Sequence, residues 1–254
     1  LREKQDASYV LTDGEEEIAS GMSANGTIAI DVDFPVLWNA ENPKLYTLTI
    51  SSCGETIREE IGFRQVAIQD GVVLLNGQPF KIKGVNRHDS DPVTGYVQNP
   101  EQMERDLTLM KQYNINAIRT SHYPNSPLFT RLCDRYGFYV IAEADAESHG
   151  VTEAYESIGE FGRLAADPLF SDAVLNRVQR SVKRDRNRPC ILFWSLGNES
   201  GYGRNFVRAA KWVHQYDPSR LVHYESSAHP YPGEDCDDSV LDVESRMYAS
   251  TGDI

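Results

Sequence analysis

Cysteine is scarce and scattered. Cys53, Cys133, Cys190 and Cys236 form no C-x-x-C pair, which excludes a disulfide framework and a structural zinc site. A reducing compartment, the cytoplasm, is the natural reading. Long hydrophobic runs are also missing. No uninterrupted apolar stretch approaches the ~20 residues of a membrane helix, so no membrane partner is expected. Positive charge is in deficit, with 25 Lys+Arg against 38 Asp+Glu and a net charge of −13. Nucleic acid is therefore not an expected partner, because phosphate binding wants a basic face. The first residues read as no signal peptide, but the chain opens at Leu1 and not at Met, so the natural start, and any signal upstream of it, is expected to lie outside the sequence.

The content is that of a globular chain. Its 40% hydrophobic residues suffice for a sizeable core, and 254 residues leave room for a small domain followed by part of a barrel. Residues 1–70 read as strands. Ser8-Tyr9-Val10-Leu11-Thr12 runs into the turn signal Asp13-Gly14. Residues 27–32 and 45–50 alternate with period two. A partial antiparallel β-sandwich is the expected class there.

The pattern changes after Gln69-Asp70-Gly71. From 71 to 254, short apolar strands alternate with helical stretches. Strands are expected at 80–85, 115–118, 138–142, 190–194, 221–224 and 240–243. Helices are expected over 100–113, 126–137, 172–186 and 206–215, with Ser126-Pro127 opening the second and Gly137 closing it. This alternation implies a parallel sheet of βα units. The six strands correspond to an incomplete (β/α)8 TIM barrel, strands 1–6 only. The acidic stretch Glu234-Asp235-Cys236-Asp237-Asp238 reads as a solvated loop. The basic run from Lys183 to Arg188 reads as cations at a helix C-terminus.

Polar residues follow every expected strand: Asn86-Arg87-His88-Asp89, Arg119-Thr120-Ser121-His122-Tyr123, Glu143 to His149, Asn198-Glu199, Tyr224-Glu225 and Arg246-Met247-Tyr248. In a βα barrel these positions converge on one mouth, where catalytic groups sit. Glu199, beside aromatic residues and near another carboxylate, is a candidate general acid. The alternative is a helix cap or an ion pair. Glu147 and His149 with a third carboxylate could hold a divalent ion, and oxygen-rich ligands with one imidazole suit Mg²⁺, or Mn²⁺, better than Zn²⁺. Their spacing alone is equally that of a solvated loop. His88 and His122 could bind sugar hydroxyls or serve structural hydrogen bonds.

Gly84-Val85-Asn86-Arg87-His88, Ser121-His122-Tyr123-Pro124-Asn125, Glu147-Ser148-His149-Gly150, the stretch from Arg184 to Pro189, and Trp194-Ser195-Leu196-Gly197-Asn198-Glu199-Ser200 occur in that order. Together they closely resemble the LacZ-type β-galactosidases of glycoside hydrolase family 2. The resemblance covers roughly residues 35–250. It implies an immunoglobulin-like sandwich over 1–70, a TIM-barrel catalytic domain over 71–254, and retaining hydrolysis of terminal β-D-galactose residues of lactose-type substrates. Glu199 is implied as the acid/base, with His88 and His122 as transition-state stabilisers and Tyr248 near the nucleophile. Asn198 and Glu199 would contact the sugar. Glu147, His149 and Glu199 would ligate Mg²⁺, and Na⁺ and a homo-oligomer belong to the full-length protein. β-Glucuronidases and β-mannosidases share the Asn-Glu pair and remain alternatives, as does a non-catalytic carbohydrate-binding fragment.

The family's nucleophilic glutamate follows the seventh strand, so none is expected in this chain. Glu225 and Glu244 are the nearest other carboxylates, neither in a nucleophile-type motif. The chain alone is accordingly expected to be an inactive fragment whose open sheet edges favour association.

Overall fold

The computed structural model describes residues 6–156, 160, 162–234, 236–250 and 252. Leu1 and Asp235, named above, and the C-terminal end of the 71–254 range lie outside them. Three sheets are present among the described residues. The first is antiparallel, in the order β2-β1-β3-β4, from β1 (Ser8–Asp13), β2 (Glu16–Met22), β3 (Tyr46–Ser52) and β4 (Glu55–Ile61). The link from β3 to β4 is Cys53-Gly54, both at positive φ, the turn that matches the twist of a tight hairpin. The second sheet joins β5 (Val66–Gln69), β6 (Val72–Leu75) and β7 (Gln78–Pro79) through Asp70-Gly71 and Asn76-Gly77, again at positive φ.

The third sheet is parallel and sequential: β8 (Gly84–Arg87), β9 (Ala117–Thr120), β10 (Tyr139–Glu143), β11 (Ile191–Ser195) and β12 (Leu221–His223). Helices α1 (Pro100–Gln112), α2 (Pro127–Tyr136), α3 (His149–Glu156), α4 (Arg163–Ala166), α5 (Ser171–Asp185) and α6 (Arg204–Tyr216) run between its strands. Every residue of β11 and β12 is buried, as expected of parallel strands covered on both faces. Met103 and Leu107 of α1, Val178 and Val182 of α5, and Phe206 of α6 complete that core.

Several expectations are corrected. Residues 27–32 form no strand. Their side chains alternate between half-buried and exposed, but the stretch is reached only by the isolated Ala24–Thr27 bridge, so the period is present without a pairing partner. The strand expected at 80–85 starts later, at Gly84, while Phe80 packs its ring 4.9 Å from that of Tyr139. The sixth barrel strand is reduced to one parallel bridge, His223 to Val243, after a 3-10 turn at Asp238–Val240. The Asp242 carboxylate accepts the Val222 N–H at 2.6 Å. A side chain thus takes a ladder donor that a pairing strand would use. Five parallel strands, consistent with part of a barrel, are therefore present among the described residues. Likewise, β1 to β4 form a single sheet.

The acidic stretch is not simply solvated. Glu234 pairs with Arg204, and Asp237 lies 3.1 Å from Lys211, so both pin the loop to α6. The basic run does mark a helix end, but its cations are placed individually. Lys183 and Arg186 sit over the Tyr216 ring at 6.0 and 4.7 Å, and Arg184 donates to the Asn125 carbonyl.

The antiparallel segment is locked onto the parallel sheet. Trp38, fully buried, donates its indole N–H to the Asp134 carbonyl at 2.9 Å. Arg188 bridges Asp134 and Glu59, and Arg64 donates to the carbonyls of Pro189, Ile191 and Ser219. Ser126 and Gly137 bound α2 as the sequence indicates. Gly137 is left-handed, at φ 75°, and a Cβ there would lie 2.3 Å from the Ala40 carbonyl oxygen. Gly137→Ala therefore strains both the backbone and this junction, and is expected to cost about 1–3 kcal/mol. A urea midpoint equal to wild type would contradict this.

Candidate active site

Each parallel strand delivers a polar group from its C-terminal end. β8 leads to His88, β9 to His122, β10 to Glu147 and His149, β11 to Asn198 and Glu199, and β12 to Glu225. The bodies of β10, β11 and β12 are largely apolar because they are buried between helices and sheet interior, while the loops beyond them are free to carry charge.

Two of these loops are pressed together. The Asn198 N–H donates to the Ala146 carbonyl at 3.1 Å, and the Ser148 and Ser200 hydroxyls are 2.7 Å apart. Gly197 permits this approach, since a Cβ there would lie 2.3 Å from the Ala146 oxygen. The consequence is an acidic cluster. One donor atom each from Glu147, His149 and Glu199 all lie within 4.8 Å of one another. His149 Nδ1 is 3.0 Å from Glu199 Oε2, and the His149 backbone N–H donates to Glu147 at 2.8 Å. Asn198, fully buried, donates to Glu147 at 2.6 Å and to Glu199 at 3.1 Å, and accepts from Arg119 at 2.7 Å.

Glu199 itself is left-handed at φ 36°, a conformation uncommon outside glycine and worth noting at a functional position. Its backbone N–H donates to the Glu225 carboxylate. Burial holds Glu225 above the usual carboxylate range, and the charge of Glu199 pushes the same way. The surroundings of Glu199 are thus His149, Asn198 and Glu225. Tyr248, 88% exposed, lines a cavity of about 330 Å³ together with His149, Glu199, Glu225 and Met247.

The two histidines meet beside this cluster. The rings of His88 and His122 are edge-to-face at 5.6 Å, with Tyr123 5.9 Å from His88. His122 Nδ1 lies 2.7 Å from Glu143, which is 0% exposed and also accepts from Arg119 and Ser195. The structure therefore brings Glu147, His149, Asn198 and Glu199 into one cluster, sets Tyr248 on its cavity, and pairs His88 with His122.

Sequence reasoning named Arg119 and Glu143 only as strand-end residues, and Glu225 also as a carboxylate outside any nucleophile-type motif, and did not see that they connect these groups. It missed Ser195 and His223 as polar members of the sheet interior. The available signal was a charged or polar residue at the inward-facing end of an otherwise apolar strand.

A parallel sheet of sequential βα units with carboxylates, an amide and histidines at its strand ends has the form of a barrel hydrolase. The model for "Glycosyl hydrolases family 2, TIM barrel domain" matches residues 66–254, and that for "Glycosyl hydrolases family 2" matches residues 2–64. The chain belongs to glycosyl hydrolases family 2. A beta-galactosidase of Actinobacillus pleuropneumoniae is 52% identical, covering 89% of this chain and 25% of its own length. One of Staphylococcus xylosus is 45% identical, covering 94% and 24%. The chain thus spans about a quarter of the length of the curated relatives it matches. Among solved structures, the apo β-glucuronidase of Ruminococcus gnavus superposes with a TM-score of 0.80 at 25% identity, over 95% of this chain and 42% of that one. The β-D-glucuronidase of Dictyoglomus thermophilum gives 0.75 at 25%, over 95% and 41%.

His223 supplies a test of the buried layer. Burial lowers it to about 4, while the nearby Glu143 charge opposes this and Arg119 adds to it. Its folded pKa lies below the unfolded value of about 6.5. The unfolded chain therefore takes up the proton first, and stability is lost as pH falls from about 6.5 to 4, by at most about 3 kcal/mol. Urea midpoints measured across this range are expected to show the loss, and His223→Gln to flatten it. An unchanged slope in the variant would remove His223 as the cause.

Proposed function

We propose that this chain forms the acid/base and metal-binding part of a retaining β-galactosidase acting on terminal non-reducing β-D-galactose residues of lactose-type substrates. The observation that carries this reading is the placement of Glu199. It sits at the end of a barrel strand, in contact with Asn198 and His149, on the rim of a sugar-sized cavity. The beta-galactosidase relatives support the galactose assignment.

Glu199 in its protonated form donates a proton to the glycosidic oxygen as the bond breaks. The resulting carboxylate then takes a proton from the water that completes hydrolysis. The second carboxyl group of such a retaining reaction stands about 5–5.5 Å away, and the nucleophile is assigned to no residue of this chain. His88 and His122 would stabilise charge on the sugar in the transition state, Tyr248 would border the nucleophile, and Asn198 would bind the 2-hydroxyl.

Glu147, His149 and Glu199 fit a divalent cation. Two carboxylates and one imidazole converge within 4.8 Å, an oxygen-rich donor set that suits Mg²⁺, or Mn²⁺. When bound, the ion would supply positive charge that orients Glu199 and offsets the repulsion from Glu147. The remaining partners proposed are the β-galactoside itself and, for the intact protein, further copies in a homo-oligomer with Na⁺ as an additional ion. The sandwich of 1–70, the barrel of 71–254 and cytoplasmic placement belong to the same reading. No helix of the described residues is long and apolar enough to cross a membrane.

A second reading, a β-glucuronidase-type glycosidase, is favoured by the β-glucuronidases whose structures superpose on this chain. Nitrophenyl β-galactoside, β-glucuronide and β-mannoside separate the two by kcat/KM. Galactoside turnover of the intact enzyme is expected to exceed the others. Glu199→Gln is expected to lower kcat by roughly 10²–10⁴ on substrates with poor leaving groups. Surviving activity would end the acid/base assignment. Chelation is expected to reduce turnover and added Mg²⁺ to restore it. Complete abolition would favour a metal-activated water mechanism instead.

A further inference from the structure

Side chains from the two strands flanking β10, and from the loop after β9, end on one buried carboxylate. Glu143, the last residue of β10, is 0% exposed. One oxygen takes His122 Nδ1 at 2.7 Å, and the other takes Arg119 Nε and the Ser195 hydroxyl, each at 2.7 Å. Its own backbone N–H is held by the Thr120 hydroxyl at 2.9 Å. The sheet does not need this carboxylate, because its ladder is made by backbone groups. A buried charge is costly unless fully paired, and an apolar residue is often the more stable solution. Its pairing instead runs outward in two arms, both ending at the candidate site.

We propose that Glu143 is a positioning residue for glycoside cleavage. It fixes the ring of His122 and, through Arg119, the amide of Asn198, so that the histidine pair and the acid/base loop keep one relative placement. The proposal rests on the reading of Glu199 as the acid/base. In the first arm, the carboxylate accepts Nδ1–H of His122. That selects the tautomer and leaves Nε2, on the opposite edge of the ring, as the atom offered to a substrate hydroxyl. In the second arm, the planar guanidinium of Arg119 spans Glu143 through Nε and Asn198 Oδ1 through Nη2, the latter at 2.7 Å. An amide whose oxygen is held by a guanidinium must turn its NH₂ the other way, toward Glu147 and Glu199, where both contacts are found. The orientation of Asn198 is thus set from below by Glu143, which touches neither Glu147 nor Glu199 itself.

The test uses the intact enzyme and Glu143→Gln. The amide can accept on one side only, so it opposes a donor with a donor at either His122 or the Arg119–Ser195 pair. A displacement of this kind is expected to lower kcat by about 10–100-fold, with KM moving less than about threefold and a native circular dichroism spectrum. Glu143→Asp, which restores the charge, is expected to recover part of the loss. In a His122→Ala background the effect of Glu143→Gln is expected to shrink, since one arm has already been cut. A folded Gln variant with wild-type kcat, or losses that simply multiply with both His122→Ala and Asn198→Ala, would overturn the proposal. If the Gln variant does not fold, Ser195→Ala withdraws one donor and leaves the charge, with an expected fall of about threefold or more. An unchanged kcat there overturns the proposal equally. Wild-type turnover and the Glu199→Gln loss, measured in parallel, test the underlying reading. If they hold while Glu143→Gln stays fully active, only the positioning role falls.

Discussion

Removing a carboxylate from water costs several kcal/mol unless opposite charge and hydrogen bonds replace the lost solvation. At the upper end of the parallel sheet that cost is met for Glu143. Arg119 of β9, His122 just beyond it and Ser195 at the end of β11 all turn inward to do so. The lower end of the same sheet shows the matching device without chemistry. Asp217 accepts from the Trp194 indole at 2.9 Å and from Arg220 at 2.7 Å, while Arg220 also caps the carbonyls of Arg186, Arg188 and Ile191. Buried ion pairs thus close both ends of an apolar sheet. Those at the bottom bind loops to one another and to the antiparallel segment, whereas those at the top end at groups facing the cavity. This division matches the general separation of stability and activity between the two faces of a βα barrel.

The arrangement of strand-end groups also explains why the candidate site spans so many elements. His122 follows β9, Glu143 ends β10 and Glu225 follows β12, yet their partners form one connected set with Asn198 and Glu199 after β11. A parallel, sequential strand order puts neighbours in sequence side by side in space, so short loops are enough to bring them together.

Much of this was legible in the sequence, and for identifiable reasons. Helices α1, α2, α5 and α6 announced themselves through apolar spacing and caps, as with Ser126, Pro127 and Gly137. The strand bodies of β10 and β11 read clearly because burial on both faces demands unbroken apolar runs. The grouping of Glu147 with His149 could be suspected from spacing, but the arrival of Glu199 beside them depends on two loops meeting, which no local pattern encodes. The failures are equally physical. Residues 27–32 have a strand's period but no partner, and pairing is not a local property. At 240–243 the side chain of Asp242 competes for the ladder. Strands β2 and β4 lack a readable apolar period because they lie on a largely exposed antiparallel face, where small and polar residues suit β2 and the charged Glu55, Arg58, Glu59 and Glu60 suit β4. Glu143 looked like any other acidic residue after a strand, since its importance lies in what it touches.

The contact between residues 146 and 197 has a meaning for how such a molecule could be altered. With a Cβ excluded at Gly197 and the two serine hydroxyls joined across the gap, the loops after β10 and β11 share a seam and have little independent freedom. They behave as one cassette. Transplanting either loop alone into a related scaffold would carry half of a fitted joint, whereas moving both preserves the seam and everything hung on it. An exchange of sequence between related chains is therefore expected to be tolerated when both loops travel together, with breakpoints outside the stretch that holds them both.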